Sequence, residues 1–344
     1  MYPDFLGIGA QKSGTTWLHR NMNTHPEIWM PTRKELHYFD EKIKDASSPV
    51  LRTRLLGKRP ADQRWRKQLK NRIRIDVKQR SVSELRQDLH YFLRRPDDEW
   101  YSKLFEPGRG MVKGEITPAY SMLEPEMISH VHSLMPETKL IFMMRNPIER
   151  VWSHNVMNLD SVQKGSASSA SQDEMIKNIQ RKDSRQLTNF PQILDNWTSF
   201  YPEEQIFVCF MEDVSFCPKI LMRQLYRFLG ADPNAGHRII RRKIHTRSTE
   251  TMPTHIATRI AEMYEDTFHK LSDRFGGYAS FWLYCAQKLI EDPPDDETIT
   301  YPLWESQLWQ QWIDQNPSFP AVPDRPLSGV LSRVGPSSQP GRES

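Results

Sequence analysis

The stretch Phe5-Leu6-Gly7-Ile8-Gly9-Ala10-Gln11-Lys12-Ser13-Gly14-Thr15-Thr16-Trp17 reads as a buried strand, a turn with small residues and the start of a helix. The helix begins near Gly14 and turns Leu18 and Met22 inward. A strand that runs through such a turn into a helix N-terminus points several backbone N–H groups into one concavity. The helix dipole adds about half a positive charge there, so an anion fits. Lys12 brings a full charge, and the hydroxyls of Ser13, Thr15 and Thr16 are further donors. This is not a Walker A loop. Gly9 and Gly14 have the right separation, but Thr15-Thr16 follows where Lys-Ser/Thr is required, and the lysine precedes the second glycine.

Outward from this turn, short apolar runs alternate with helical patterns. Lys139-Leu140-Ile141-Phe142-Met143-Met144 reads as a second buried strand. It ends at Arg145-Asn146-Pro147, where Asn146 caps a helix that has Pro147 at its first position and Ile148, Val151, Trp152 and Val156 on one face. Gln205-Ile206-Phe207-Val208-Cys209-Phe210 is a third strand, followed by a helix that carries Leu221, Leu225, Phe228 and Leu229 and stops at Gly230. One long helix is expected over residues 254–275. Together these predict an α/β fold: a single P-loop-like domain over residues 1–290 with a central, mostly parallel sheet flanked by helices, and a helical insertion at about 45–100.

The chain has 344 residues, 38% of them hydrophobic and 26% charged, with three cysteines that show no metal spacing. Its mean hydropathy is −0.68. No apolar stretch approaches the roughly 20 residues needed to span a bilayer, and the N-terminus lacks a basic region followed by an apolar run. Cys209, Cys217 and Cys285 read as small core residues in a reducing compartment, so a cytoplasmic location is expected. The net charge of +4 is unevenly spread. Residues 51–95 hold 15 Lys/Arg against 4 Asp/Glu, with Trp65, Leu69, Ile73 and Val77 at helical spacing. That region reads as a solvated basic helix, a surface for an acidic acceptor or partner, or a surface for an anionic membrane. No nucleic-acid partner is expected, since no zinc-finger or RNP signature accompanies the charge. Residues 291–344 hold 9 of the 25 prolines and 9 Asp/Glu against 3 Arg, and read as an acidic extension with low complexity in the last 20 or so residues.

The end of the second strand narrows the ligand. A Mg²⁺-dependent nucleotidase usually places an Asp there to hold the metal. Arg145 instead favours a bare phosphate, bound bidentately. Ser153, on the helix that follows, donates to the same phosphate if that helix runs back past the site. Two cationic sites without a metal ligand imply a nucleotide with two separate phosphate groups.

Those residues resemble the sulfotransferase family, which uses 3′-phosphoadenosine 5′-phosphosulfate. Gln11-Lys12-Ser13-Gly14-Thr15-Thr16-Trp17-Leu18 is similar to its 5′-phosphosulfate loop, and Arg145-Asn146-Pro147 with Ser153 to its 3′-phosphate element. Two further segments resemble the carbohydrate branch, whose eukaryotic members sulfate heparan chains. Lys34-Glu35-Leu36-His37-Tyr38-Phe39-Asp40 resembles the segment with the catalytic glutamate, and Lys113-Gly114-Glu115-Ile116-Thr117-Pro118-Ala119-Tyr120 the Glu-Lys-Ser-Pro-Ala-Tyr segment. Ile116 stands where the heparan enzymes often have a lysine facing the glycan. Their late Lys-Gly-Arg cofactor loop corresponds to Lys243-Ile244-His245-Thr246-Arg247-Ser248, which carries Thr246, Arg247 and Ser248 over as cofactor-binding residues.

The resemblance implies in-line transfer of a sulfuryl group to a hydroxyl or amine, with no metal required. Glu35 is the expected base, on condition that burial raises its pKa, and His37 is the rival. Lys12 bridges the leaving phosphate and the sulfuryl oxygens. Asp40 and Glu115 are the candidate substrate-binding residues: Asp40 orients His37 or Lys12, or is a helix cap or turn acid, and Glu115 pairs with Lys12, lines the acceptor cleft or satisfies a buried backbone group. Trp17 and Trp197 are candidates for stacking on adenine or for the core. The acceptor is a glycan, glycolipid or small metabolite. The competing readings are a P-loop kinase or nucleotidase that needs Mg²⁺ and ATP, and a non-catalytic polyanion-binding protein.

Overall fold

The computed structural model describes residues 1–42, 56–58, 60–79, 82–94, 96–163, 172–235 and 251–335. Thr246, Arg247 and Ser248 lie outside these residues. Eight strands are described: β1 (Phe5–Gly9), β2 (Ile28–Trp29), β3 (Val112–Ile116), β4 (Lys139–Met144), β5 (Ile206–Phe210), β6 (Thr251–Pro253), β7 (Thr298–Thr300) and β8 (Gly329–Val330). Six of them form one sheet in the order β2-β3-β1-β4-β5-β8. All its pairings are parallel except β5 with β8. The fold is therefore the α/β arrangement read from the sequence, a mostly parallel sheet flanked by helices.

Strands β1, β4 and β5 are apolar at every position but Lys139, because both faces of the sheet are covered. Successive residues alternate between two cores, as the two-residue period of a strand demands. Leu6, Ile8, Leu140, Phe142, Met144, Ile206, Val208 and Phe210 enter the larger one. Phe5, Ile141, Met143, Phe207 and Cys209 enter the other, against Trp17, Leu18 and Met22 of helix Thr15–Met22 and Leu221, Leu225 and Leu229 of helix Pro218–Leu229. All three cysteines are buried and unpaired.

Strand β1 lies between β3 and β4, and the chain visits one side of the sheet before β4 and the other after it. Ligands of open α/β sheets bind at such a reversal, outside the carboxyl ends of the strands. The loops after β1, β3 and β4 all emerge there. The β1–β4 ladder runs on into the first of them, where the Ala10 amide donates to Met143 at 2.8 Å.

Two features differ from the sequence reading. Residues 254–275 form two helices, Thr254–Met263 and Glu265–Phe275, because Tyr264 leaves the helical well (φ −120°, ψ 16°). The acidic extension is folded as far as residue 335. Its aromatic residues outweigh its prolines: Trp309 and Trp312 of helix Gln307–Gln315 pack on Phe281 at 4.7 and 5.5 Å, and β8 closes one edge of the sheet. Residues 336–344 lie outside the described residues. The basic insertion contributes helices Pro60–Gln79 and Val82–Leu93, joined by Trp65 on Phe92 (5.8 Å) and an Arg72–Asp88 ion pair of 2.6 Å. It leans on the loop after β2, where the Tyr91 hydroxyl donates to the Leu36 carbonyl (3.2 Å) and the Arg33 guanidinium lies 4.4 Å from the Tyr91 ring centre.

Candidate active site

The turn after β1 is shaped by two left-handed residues. Gly14, the N-cap of helix Thr15–Met22, has φ 90° and offers no side-chain cap to that helix. A Cβ at Gly14 would sit 2.8 Å from Met211 Sδ, and the left-handed φ favours glycine there whatever the space. Lys12 has φ 70°. Its carbonyl accepts from Arg145 Nη1 at 3.1 Å and its ammonium lies 3.7 Å from Met157 Sδ, which ties the turn to the helix after β4. Ser13 is fully buried and its Oγ finds no partner among the described residues. A buried orphan hydroxyl at an uncapped helix N-terminus fits a phosphate oxygen. Trp17 is buried in the smaller core and Trp197 in the larger, so both are core tryptophans.

Asn146 caps helix Pro147–Gln163 as expected, its Oδ1 accepting from the Ile148 amide at 3.0 Å. The cap fixes where Arg145 leaves β4. The guanidinium donates through Nε to Glu149 (2.9 Å), through Nη1 to Lys12 O and through Nη2 to the Tyr301 hydroxyl. Ser153 lies close enough to the same Tyr301 hydroxyl to lower its pKa against the larger effect of burial. Arg145 and Ser153 thus converge on one oxygen, and Arg145 also reaches the Lys12 turn.

The third component is the loop after β2. Glu35 and His37 both have left-handed backbones, with φ 53° and 55°. Such residues cost about 1–3 kcal/mol each and persist only where the surroundings over-determine them. The surroundings do so through Glu115. This carboxylate is 2% exposed and accepts from Thr117 Oγ1 (2.6 Å), Tyr101 (2.7 Å), Tyr120 (2.9 Å) and the Leu36 amide (3.3 Å). Thr117 Oγ1 also accepts from the Leu36 amide, and Tyr120 from the Tyr38 amide. Of the roles weighed for Glu115, the structure gives it the last. It pairs with phenols, a hydroxyl and a backbone amide, not with Lys12 or an open cleft.

With Leu36 pinned, Glu35, His37 and Asp40 form a chain. Glu35 Oε1 takes Lys34 Nζ at 2.5 Å, Glu35 Oε2 lies 3.4 Å from His37 Nε2, and His37 Nδ1 lies 2.8 Å from Asp40 Oδ2. Asp40 therefore backs His37 and not Lys12. Burial does not raise Glu35 as expected. His37 foremost, and Lys34 with it, pull it down from 4.5 to about 2 against the opposing effect of burial. Asp40 and then Glu35 push His37 up from 6.5 to about 10. His37, being raised, adds stability that is complete below 6.5 and lost as pH climbs through about 10. Glu35, being lowered, adds stability that is complete above 4.5 and lost as pH falls through about 2. The loop is held most firmly between pH 4.5 and 6.5. An NMR titration of the imidazole is expected to show a midpoint far above 6.5, brought down by Asp40→Asn. A midpoint near 6.5 in the parent protein would contradict the ion-pair chain.

Sequence reasoning missed three residues here. Lys34 and Glu149 had local signals, as neighbours of Glu35 and of Arg145 one helical turn on. Tyr301 had none, since it lies 156 residues from Arg145. Among the described residues no helix is long and apolar enough to cross a membrane.

The chain is similar to known sulfotransferases in sequence and in fold. Over 152 aligned residues the chain is 24% identical to the membrane-associated sulfotransferase kil1 of Dictyostelium discoideum, covering 43% of this chain and 21% of that protein. The chain thus spans about a fifth of that relative's length. A sulfotransferase crystal structure from Alicyclobacillus acidocaldarius shares the fold, with a TM-score of 0.52 and 20% identity over 79% of this chain and 95% of that one. The sulfotransferase domain of the Synechococcus PCC 7002 olefin synthase aligns with a TM-score of 0.43 and 16% identity over 69% of this chain and 78% of that one. The model of the sulfotransferase family matches residues 3–234, more than half of the sequence, and with the Lys12 turn and the Arg145 helix inside that span the chain belongs to the sulfotransferase family.

Proposed function

We propose that the protein transfers a sulfuryl group from 3′-phosphoadenosine 5′-phosphosulfate to a hydroxyl or amine of an acceptor. The observation that carries this reading is the bond from Arg145 Nη1 to the Lys12 carbonyl, which fastens two anion-binding elements to each other at the sheet reversal. A nucleotide with phosphates at both 3′ and 5′ positions needs two such elements at a fixed separation. Ser13, with its buried unpartnered hydroxyl, supports an anion at the first, and Ser153 beside Arg145 supports one at the second. The donor supplies an activated sulfuryl group whose departure leaves charge on a phosphate oxygen.

The chain's own residues divide the remaining work. Lys12 and the N–H groups at the start of helix Thr15–Met22 oppose the charge that grows on the leaving oxygen. Glu35 is the base that accepts the acceptor's proton. His37, held as an imidazolium between Asp40 and Glu35, has no free lone pair with which to do so, and positions Glu35 instead. A glycan, glycolipid or small metabolite is the proposed acceptor, and the basic helices beside the Glu35 loop suit an acidic one. We place this chemistry in the cytoplasm.

Calorimetric titration with adenosine 3′,5′-bisphosphate and, separately, ATP–Mg²⁺ tests the reading. Micromolar binding of the bisphosphate without metal is expected, weakened in both Lys12→Ala and Arg145→Ala. Binding of ATP–Mg²⁺ alone would replace this reading with a kinase. Salt-sensitive binding of polyanions that survives Lys12→Ala, with neither nucleotide bound, would replace it with a binding protein.

A further inference from the structure

We infer that Tyr301 is a third ligand of the anion that Arg145 and Ser153 bind, so that the segment after residue 297 completes the nucleotide site. This rests on the reading above that a 3′-phosphate sits between those two residues. The phenol is where such a ligand has to be. Arg145 Nη2 donates to its oxygen, and Ser153, on the second turn of the helix Pro147–Gln163 that follows Arg145, lies beside the same hydroxyl. The Arg145 guanidinium carbon also lies 5.1 Å from the Tyr301 ring centre, so the ring stays against the cation whichever way the hydroxyl points.

The segment is anchored and does not lie there by chance. Strand β7 pairs antiparallel with β6 through Thr300 and Thr251. The Leu303 amide, buried one residue past the proline, donates to Glu149 Oε1 at 2.8 Å, and the other oxygen of Glu149 takes Arg145 Nε. Glu149 thus holds Arg145 and the Tyr301 turn in one frame.

The chemistry of the phenol suits the exchange. Burial raises its pKa, so the hydroxyl keeps its proton. It now accepts from Arg145, with Ser153 beside it. When a phosphate offers better acceptors, those two donors turn to it, and the phenol donates its O–H to the same phosphate. No covalent step is involved.

Full-length protein and Tyr301→Phe, which keeps the ring and its packing, are titrated calorimetrically with adenosine 3′,5′-bisphosphate and with adenosine 5′-phosphate. The phenylalanine variant is expected to bind the bisphosphate about tenfold more weakly, the loss of one hydrogen bond to a charged group, and the monophosphate within about twofold of the parent. Equal weakening toward both nucleotides would make Tyr301 a general prop and overturn the inference. So would unchanged binding, or tighter binding, which would mark Tyr301 as a competitor for Arg145. Failure of the parent protein to bind the bisphosphate overturns the sulfotransferase reading and this inference together, whereas binding by the parent that Tyr301→Phe leaves intact overturns this inference alone.

Discussion

Glu35→Gln is expected to lower kcat by about 10²–10⁴ while bisphosphate affinity changes little. The substitution keeps the shape of the side chain and removes only its ability to take a proton. A base held at about 2 in the free protein is a weak one, and the geometry explains how it becomes useful. Two of its partners are replaceable: Lys34 at 2.5 Å and His37 at 3.4 Å hold the carboxylate from one side each, and its side chain is 39% exposed. An acceptor hydroxyl that displaces either one raises the proton affinity at the moment it is needed. The pH profile follows with a definite sign. Because Glu35 is lowered, the acid limb of kcat/KM lies well below 4.5, and the rate holds as pH falls from 7 to 5. Because His37 is raised, the alkaline limb lies near 10, and Asp40→Asn moves that limb toward neutrality. Full turnover in Glu35→Gln, with loss in His37→Ala, would transfer the role of base to His37.

Lys12→Ala is expected to lower kcat by about 10²–10³, the usual consequence of removing a donor aimed at developing charge. The variant isolates the ammonium well. The Lys12 carbonyl that holds Arg145 is main chain and survives the change, and so does the left-handed turn that the neighbouring Gly14 supports. Lys12→Arg tests the same point from the other side. A guanidinium keeps the charge but is longer and planar, so it does not restore the parent rate if the ammonium has to sit between two groups on the donor. Wild-type kcat in Lys12→Ala, measured at saturating donor, would remove the lysine from the reaction and leave it a binding residue.

The fold was legible wherever burial is two-sided. Lys139 to Met144 and Gln205 to Phe210 are runs with no polar interruption after their first residue, which only a strand covered on both faces explains at that length. Arg145, Asn146 and Ser153 were legible because one helix carries their geometry, and the Asn146 cap fixes it. Long-range consequences were not. No residue type announces that Glu35 and His37 adopt positive φ, since the cause is a buried carboxylate some 80 residues on, which takes the Leu36 amide from β3. The direction of the Glu35 pKa depended on that same turn, because it brings the His37 ring back to the carboxylate. The extension from residue 291 misled for a compositional reason. Its prolines and acidic residues conceal Trp304, Trp309, Trp312 and Phe319, which suffice to fasten it to the core.

The pairing of β5 with β8 has a consequence for how the molecule is made. Phe210 and Ser328, which bond where these strands meet, are 118 residues apart. As the chain leaves the ribosome, β5 and its neighbour β4 emerge well before the partner for the outer edge exists. During that interval a flat apolar strand presents its unsatisfied amides and carbonyls to any other nascent copy. Synthesis at lower temperature, or a slower supply of chains, therefore favours soluble product over inclusion bodies. Substitutions that loosen Ser328, whose hydroxyl and amide both donate to the buried Asp213, raise the aggregated fraction before they alter anything measurable in the folded enzyme.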